Sequence, residues 1–305
     1  LSCGTGTKFQ RRSVVVIDRP LRAPTMLHRT RFILLSGLVL CLAPVALSRQ
    51  HPSLAQREEG FEKRAEKEIY RSPGELKAQD EAELRQGMKY LKLIKGDPTS
   101  KEIALTFDDG PHQHWTKQLL NLLRANHVRA TFFVVGKMAE RYPNLIRQEL
   151  ADGHQLANHT YHHVNLTNIP ANEVASEYRM CDEALHRITG RHMSYCRPPG
   201  GQYDHDVIQT TEKLGLRTVL WKEGQGDYAK PGDGVIQKRL MHCGHNGSII
   251  LLHDGIQQTL DVLPGMIKAL RQKGYRFVTI DQMHHELATK LAQMSRSSES
   301  GRRAR

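Results

Sequence analysis

The chain reads as an α/β protein whose parallel strands are covered by helices and arranged as a barrel of β-then-α units. Two observations carry this. From about Tyr90 onward, short apolar runs of strand length alternate with amphipathic stretches of helix length. The polar clusters with chemical potential then fall just after the apolar runs, where a barrel of such units places its active site. Residues 103–107 form the first run, and Gly110-Pro111 stop it. Residues 115–126 follow as a helix, with Leu119, Leu120, Leu122 and Leu123 at helical spacing. The apolar run 130–135 is a strand, 138–150 a helix, and 172–188 a second helix ending at Gly190, a stop signal. Strands are expected at 193–196, 216–221, 248–252 and 276–280, with helices at 235–242 and 260–273.

The 305 residues are 39% hydrophobic and 25% charged, as in a soluble globular protein, and the formal net charge is +12. That charge sits at the ends. Residues 1–55 carry 8 Lys/Arg against 1 Asp/Glu and residues 296–305 carry 4 against 1, which leaves 32 against 30 in between. A nearly neutral body argues against a nucleic-acid partner. Residues 1–25, which begin without Met, read as upstream sequence. Residues 26–55 read as a secretory signal peptide, with the basic lead Met26-Leu27-His28-Arg29-Thr30-Arg31, an apolar stretch 32–47 and small residues at Ser53-Leu54-Ala55. A membrane anchor is the alternative, but the apolar stretch is interrupted by Pro44 and short of the roughly 20 residues a span needs. A lipidated Cys41 is a weaker reading, because Leu40 precedes it. Residues 56–90 are charge-rich and expected to be solvated helix or linker without chemistry. Residues 91–290 hold the domain, and 291–305 read as a disordered basic tail. Cys181, Cys196 and Cys243 lack zinc-finger spacing; one pair could bridge, and buried free thiols are the favoured reading.

Thr106-Phe107-Asp108-Asp109-Gly110-Pro111 puts adjacent carboxylates at the end of a core strand. Neighbouring strand side chains point to opposite sides, so a bend there lets both address one cavity. The alternative is a solvated turn. Asn158-His159-Thr160-Tyr161-His162-His163 supplies histidines four apart, which with one carboxylate make a three-ligand zinc set with an open position. His162 could replace a neighbour as ligand. Arg197, Asp227 and His253 follow further strands. A surface arginine and a core histidine are the plain alternatives for Arg197 and His253.

These residues, taken together, resemble the polysaccharide deacetylases with a NodB-type domain, the fourth family of carbohydrate esterases. Five ordered motifs match between residues 106 and 253, and the similarity runs from about Lys92 to Met283. The resemblance implies a distorted (β/α) barrel, with Asp108 as catalytic base and Asp109, His159 and His163 as ligands of one divalent metal, zinc foremost. Arg197, in Arg197-Pro198-Pro199-Gly200, would pair with Asp108, and the backbone near Gly200 would hold an oxyanion. Leu251 would line the acetyl pocket, His253 would be the general acid, and Asp227 would hydrogen-bond it. Gly200 stands where many relatives have Tyr. Gly224-Gln225-Gly226-Asp227-Tyr228 stands where Asp-x-x-Asp-Trp is common, so Tyr228 replaces Trp in the groove.

The expectation is therefore an exported, monomeric, metal-dependent hydrolase of carbon–nitrogen bonds in the cell envelope or outside it. It would remove N-acetyl groups from an amino-sugar polymer, peptidoglycan ahead of chitin. An O-acetyl esterase on xylan-type polymers and a catalytically silent carbohydrate-binding module are the competing readings.

Overall fold

The computed structural model describes residues 69–303, with Gln225 and Cys243 excepted. Residues 1–55, read above as upstream sequence and a signal peptide, and Cys243 lie outside the described residues. Among the described residues nine strands form one sheet: β1 (Lys92–Leu93), β2 (Glu102–Asp108), β3 (Thr131–Val134), β4 (Gln155–Asn158), β5 (Tyr195–Cys196), β6 (Arg217–Val219), β7 (Glu223–Gly224), β8 (Ser248–His253) and β9 (Arg276–Phe277). Their order is β1-β6-β5-β4-β3-β2-β8-β7, with β9 on β2, and every ladder is parallel.

Alternation along the strands divides the core into two layers. Ile103, Leu105 and Phe107 of β2, Phe132 and Val134 of β3, and Ile250 and Leu252 of β8 face outward in one cluster. They meet Leu119, Leu120 and Leu123 of α2 (Trp115–Ala125) and Leu260, Leu263 and Ile267 of α8 (Gln257–Gln272). Ala104, Phe133, Ala157, Val219, Ile249 and Leu251 belong to the second, inner cluster. Side chains from strands that are not neighbours share this inner cluster, which requires the sheet to curl into a barrel-like wall. Both faces are buried, which is why the strands read as continuous apolar runs.

Three expectations change. The helix read over 138–150 is two helices, α3 (Gly136–Arg141) and α4 (Pro143–Ala151), because Pro143 opens a new helix at its first position. The strand read over 276–280 stops at Phe277, α9 (Ile280–Arg303) begins three residues later, and helix occupies most of the stretch read as a disordered tail. The start of α9 is tied to the beginnings of the strands: Ile280 N–H donates to Thr131 Oγ1 (3.0 Å) and Asp281 N–H to Gln155 Oε1 (2.9 Å). The remaining helices are α5 (Ala171–Thr189), closed by Gly190 at φ 71°, α6 (His205–Lys213) and α7 (Asp233–His242).

The last part of the charge-rich segment is helix α1 (Pro73–Arg85), started by a capping box in which Ser72 and Glu75 exchange hydrogen bonds. It is not merely a wet surface, since Leu76 is fully buried in the inner cluster. Cys181 and Cys196 are buried free thiols, and burial pushes the Cys196 thiol up to about 12.

Leu105→Ala should lower the unfolding free energy by about 2–5 kcal/mol through the cavity it leaves. Leu84→Ala, at a side chain 57% exposed, should stay within about 0.5 kcal/mol. Urea titration of both variants is the check.

Candidate active site

The polar residues converge at the carboxyl ends of the strands. Asp108 closes β2 and His253 closes β8, and the two stand opposite each other in the ladder, one pleat beyond Thr106 and Leu251. All four therefore point to the inner face. Asp109 would point outward if β2 continued, but its φ of 73° turns the chain and brings its carboxylate inward as well. The loop after β4 is bent in the same way, with Thr160 at φ 66° and His163 at φ 53°. Such left-handed residues cost roughly 1–3 kcal/mol each. Asn158 offsets part of this: its Oδ1 accepts from Thr160 N–H (2.9 Å) while its Nδ2 donates to Tyr178 O (2.8 Å). His163 N–H donates to Thr160 Oγ1 (3.1 Å). The histidine pair thus sits on a strained turn, not a helix.

Asp109, His159 and His163 each offer a ligand atom, all within 4.8 Å of one another. Asp109 Oδ1 lies 3.0 Å from His163 Nε2 and 3.4 Å from His159 Nε2. His159 Nδ1 is 2.8 Å from Arg197 O, so it carries the proton and leaves the Nε2 lone pair facing the cluster. Asp109 Oδ1 and His159 Nε2 are buried without a well-formed hydrogen bond. A buried carboxylate oxygen and an imidazole lone pair pointing at one spot fit a divalent cation, which satisfies both. Burial raises the Asp109 carboxyl, but the facing imidazole of His163 outweighs it and holds it well below the usual range. His162 is not in the set. It turns onto Glu177, donating its N–H to Oε2 (2.8 Å) and pairing Nδ1 with Oε1 (2.9 Å).

Arg197 is fully buried, not a surface arginine. Its Nη1 donates to Asp108 Oδ1 (2.6 Å) and Thr106 Oγ1 (2.9 Å), its Nε to Val219 O (3.2 Å), and its Cζ lies 3.9 Å from the centroid of the Phe133 ring. Asp108 Oδ2 is left without a hydrogen bond, 3.7 Å from His159 Nε2. The Pro198-Pro199-Gly200-Gly201 turn behind Arg197 needs two left-handed residues in succession, φ 60° and 68°, and a Cβ at Gly201 would lie 2.6 Å from the Trp221 ring.

Asp227 binds His253 twice, through Nδ1 (2.8 Å, to Oδ1) and the backbone N–H (2.8 Å, to Oδ2), and Thr259 Oγ1 donates to Oδ2 (2.7 Å). His253 Nε2 is buried without a hydrogen-bond partner. Burial lowers the imidazole pKa, yet the Asp227 carboxylate, with Asp109 and Asp108 beyond it, pushes it up to about 9. Tyr228 packs edge-on to His253 with centroids 5.7 Å apart. Every site residue read from the sequence lies in or beside this cleft. Asn158, Thr106, Thr259 and Tyr70 were not assigned roles in the sequence. The first two lie inside or next to recognisable motifs, whereas nothing local marks Thr259 or Tyr70.

A curled parallel sheet with this cluster at its carboxyl end defines a hydrolase scaffold of the NodB (β/α) barrel kind. The polysaccharide deacetylase family model matches residues 95–219. Peptidoglycan-N-acetylglucosamine deacetylase of Bacillus cereus is 32% identical over 199 residues, covering 64% of this chain and 72% of that protein. Peptidoglycan-N-acetylmuramic acid deacetylase PdaA of Bacillus subtilis is 32% identical over 207 residues, covering 67% and 79%. The crystal structure of the Bc1960 peptidoglycan N-acetylglucosamine deacetylase matches with TM-score 0.63 and 30% identity, over 66% of this chain and 95% of that one. The chain belongs to the NodB-type polysaccharide deacetylases of carbohydrate esterase family 4, hydrolases acting on carbon–nitrogen bonds.

Arg197→Met should destabilise the fold by about 3–5 kcal/mol, because Asp108 is left buried and uncompensated. Adding Asp108→Asn to that variant should recover much of the loss in urea unfolding.

Proposed function

We propose that this chain is an exported, divalent-metal-dependent deacetylase that acts as a monomer on N-acetyl groups of a cell-wall amino-sugar polymer, with peptidoglycan N-acetylglucosamine as substrate. The observation that carries it is the flanking of the Asp109–His159–His163 cluster by an arginine-held carboxylate on one side and a carboxylate-held imidazole on the other. The names of the bacterial relatives support the polymer, and the basic and apolar lead from Met26 to Leu47 supports export.

Asp108 is the base in this reading. Arg197 orients it and occupies Oδ1, so Oδ2 is the oxygen that takes the proton of the attacking water. Asp109, His159 and His163 would hold a divalent cation, zinc by the preference of two imidazoles and a carboxylate, which would supply Lewis acidity towards the acetyl carbonyl and the water. A backbone N–H near Gly200 would stabilise the developing oxyanion, and Leu251, on the same face as His253, would line the acetyl pocket. His253, protonated at neutral pH, gives the Nε2 proton to the departing amine, which leaves poorly as an anion. Tyr228 shapes the sugar groove beside it.

His159→Ala should remove stoichiometric metal from the purified protein, read by elemental analysis. Asp108→Asn should keep the metal and lose about 10²–10⁴-fold in turnover. Asp227, in direct contact, raises the His253 pKa, so the proton donor is present at neutral pH and lost as pH rises through that raised pKa. Asp227→Asn removes the nearest raising charge, so the alkaline limb of kcat/KM should move to lower pH with metal content unchanged. Acetate release from peptidoglycan, chitooligosaccharides and acetylated xylan, compared side by side with the zinc-loaded protein, tests the substrate. Release from xylan alone would overturn the N-deacetylase reading.

A further inference from the structure

The segment before α1 crosses the third motif as a strap. Arg71 N–H donates to Gly200 O (3.0 Å), and Gln202 Nε2 donates to Ile69 O (3.1 Å), so main-chain groups on either side of Tyr70 are tied to residues on either side of Gly201. The strap leads directly into the Ser72–Glu75 capping box and the buried Leu76. Ile69 points to solvent, 80% exposed, while Tyr70 is 8% exposed and turns into the cleft beside Gly200, which has no side chain of its own. There its ring lies 4.3 Å from the Tyr228 centroid and edge-on to His253 at 4.6 Å. Its hydroxyl donates to Asp109 Oδ2 (3.2 Å).

We propose that Tyr70 is a positioning residue for both halves of the site: its hydroxyl orients Asp109 so that Oδ1 faces the two imidazoles, and its ring, with Tyr228, holds His253 in place. This rests on the reading of Asp109 as a metal ligand and His253 as proton donor. The two contacts have different chemical requirements. Packing between Tyr228 and His253 needs only an aromatic ring, and Phe would supply it. The contact with Asp109 needs the phenol. A ligating carboxylate has two oxygens, and a donor fixed on one of them selects which faces the metal and in which plane. Without the hydroxyl the Asp109 carboxylate can rotate, and without the ring the imidazole can tilt. The site is therefore completed by a residue that lies upstream of all five motifs.

The test uses the full chain with Tyr70→Phe and Tyr70→Leu, and reads Zn²⁺ affinity by competition with a chromophoric chelator alongside steady-state kinetics at saturating zinc. Tyr70→Phe should bind Zn²⁺ about tenfold or more weakly, the usual cost of losing an outer-shell partner. Tyr70→Leu should show the same loss of affinity and, in addition, about a tenfold lower kcat with little change in KM. Co²⁺-loaded protein provides a second readout, since a reoriented carboxylate changes the visible absorption of the Tyr70→Phe variant. Wild-type Zn²⁺ affinity in Tyr70→Phe overturns the positioning of Asp109. A higher kcat/KM in Tyr70→Leu overturns the proposal altogether, because it marks Tyr70 as an obstruction to substrate. If Tyr70→Leu does not fold, the metal affinity of Tyr70→Phe still decides. Failure of the underlying reading has a separate signature: wild-type protein whose Zn²⁺ binding is unaffected by Asp109→Ala.

Discussion

The buried ion pair between Arg197 and Asp108 is the constraint around which the cleft is organised. Removing a guanidinium and a carboxylate from water costs several kcal/mol per ion, and their attraction returns this only when the remaining donors are also satisfied. Here they are. The guanidinium reaches Asp108 and Thr106 on β2, main-chain carbonyls of Val219 and Leu220 at the end of β6, and the face of Phe133 on β3. One side chain thus ties three strands across the inside of the curl. Its own carbonyl then accepts from His159 Nδ1, so the same residue sets the tautomer of a candidate ligand. Since such a pair is weak evidence for stability by itself, its presence at the strand ends speaks for chemistry.

Charge balance in the cleft follows from that pair. Asp108 is matched by Arg197, and Asp227 by the imidazolium of His253, which leaves Asp109 and two imidazoles for a cation. The elevation of His253 is owed first to Asp227, in direct contact, and then to the more distant Asp109 and Asp108. A divalent cation would offset the latter two and leave the Asp227 contribution standing. The acid and the metal cluster can therefore lie in one buried space without cancelling each other.

Much of the fold was legible because each signal was local. The core strands are buried on both faces and read as apolar runs, and Gly190 ends a helix because only a left-handed residue closes that cap. The misreadings share a cause. A helical pattern over 138–150 continued past Tyr142 because amphipathic spacing persisted, while the ring of Pro143 forced a new start. Polar composition after Ser295 reads as disorder, but a helix already anchored at Ile280 propagates with little further penalty. The strands β1, β4 and β7, short and partly polar, carry too few residues for periodicity to mark them.

The sequence by itself determined which side chains could do the chemistry, because carboxylate pairs, a histidine pair at fixed spacing and an arginine before Pro-Pro are chemical statements made within a few residues. It did not determine how they share the work. That Asp109 turns inward, that His162 leaves the cluster for Glu177, and that Tyr70 enters the cleft depend on a positive φ, a buried glutamate on α5 and a strap tied to Gly200. Each involves partners distant in the chain, or a backbone torsion that the surrounding packing imposes. Contacts of that kind are decided only when the sheet curls and brings its strand ends together.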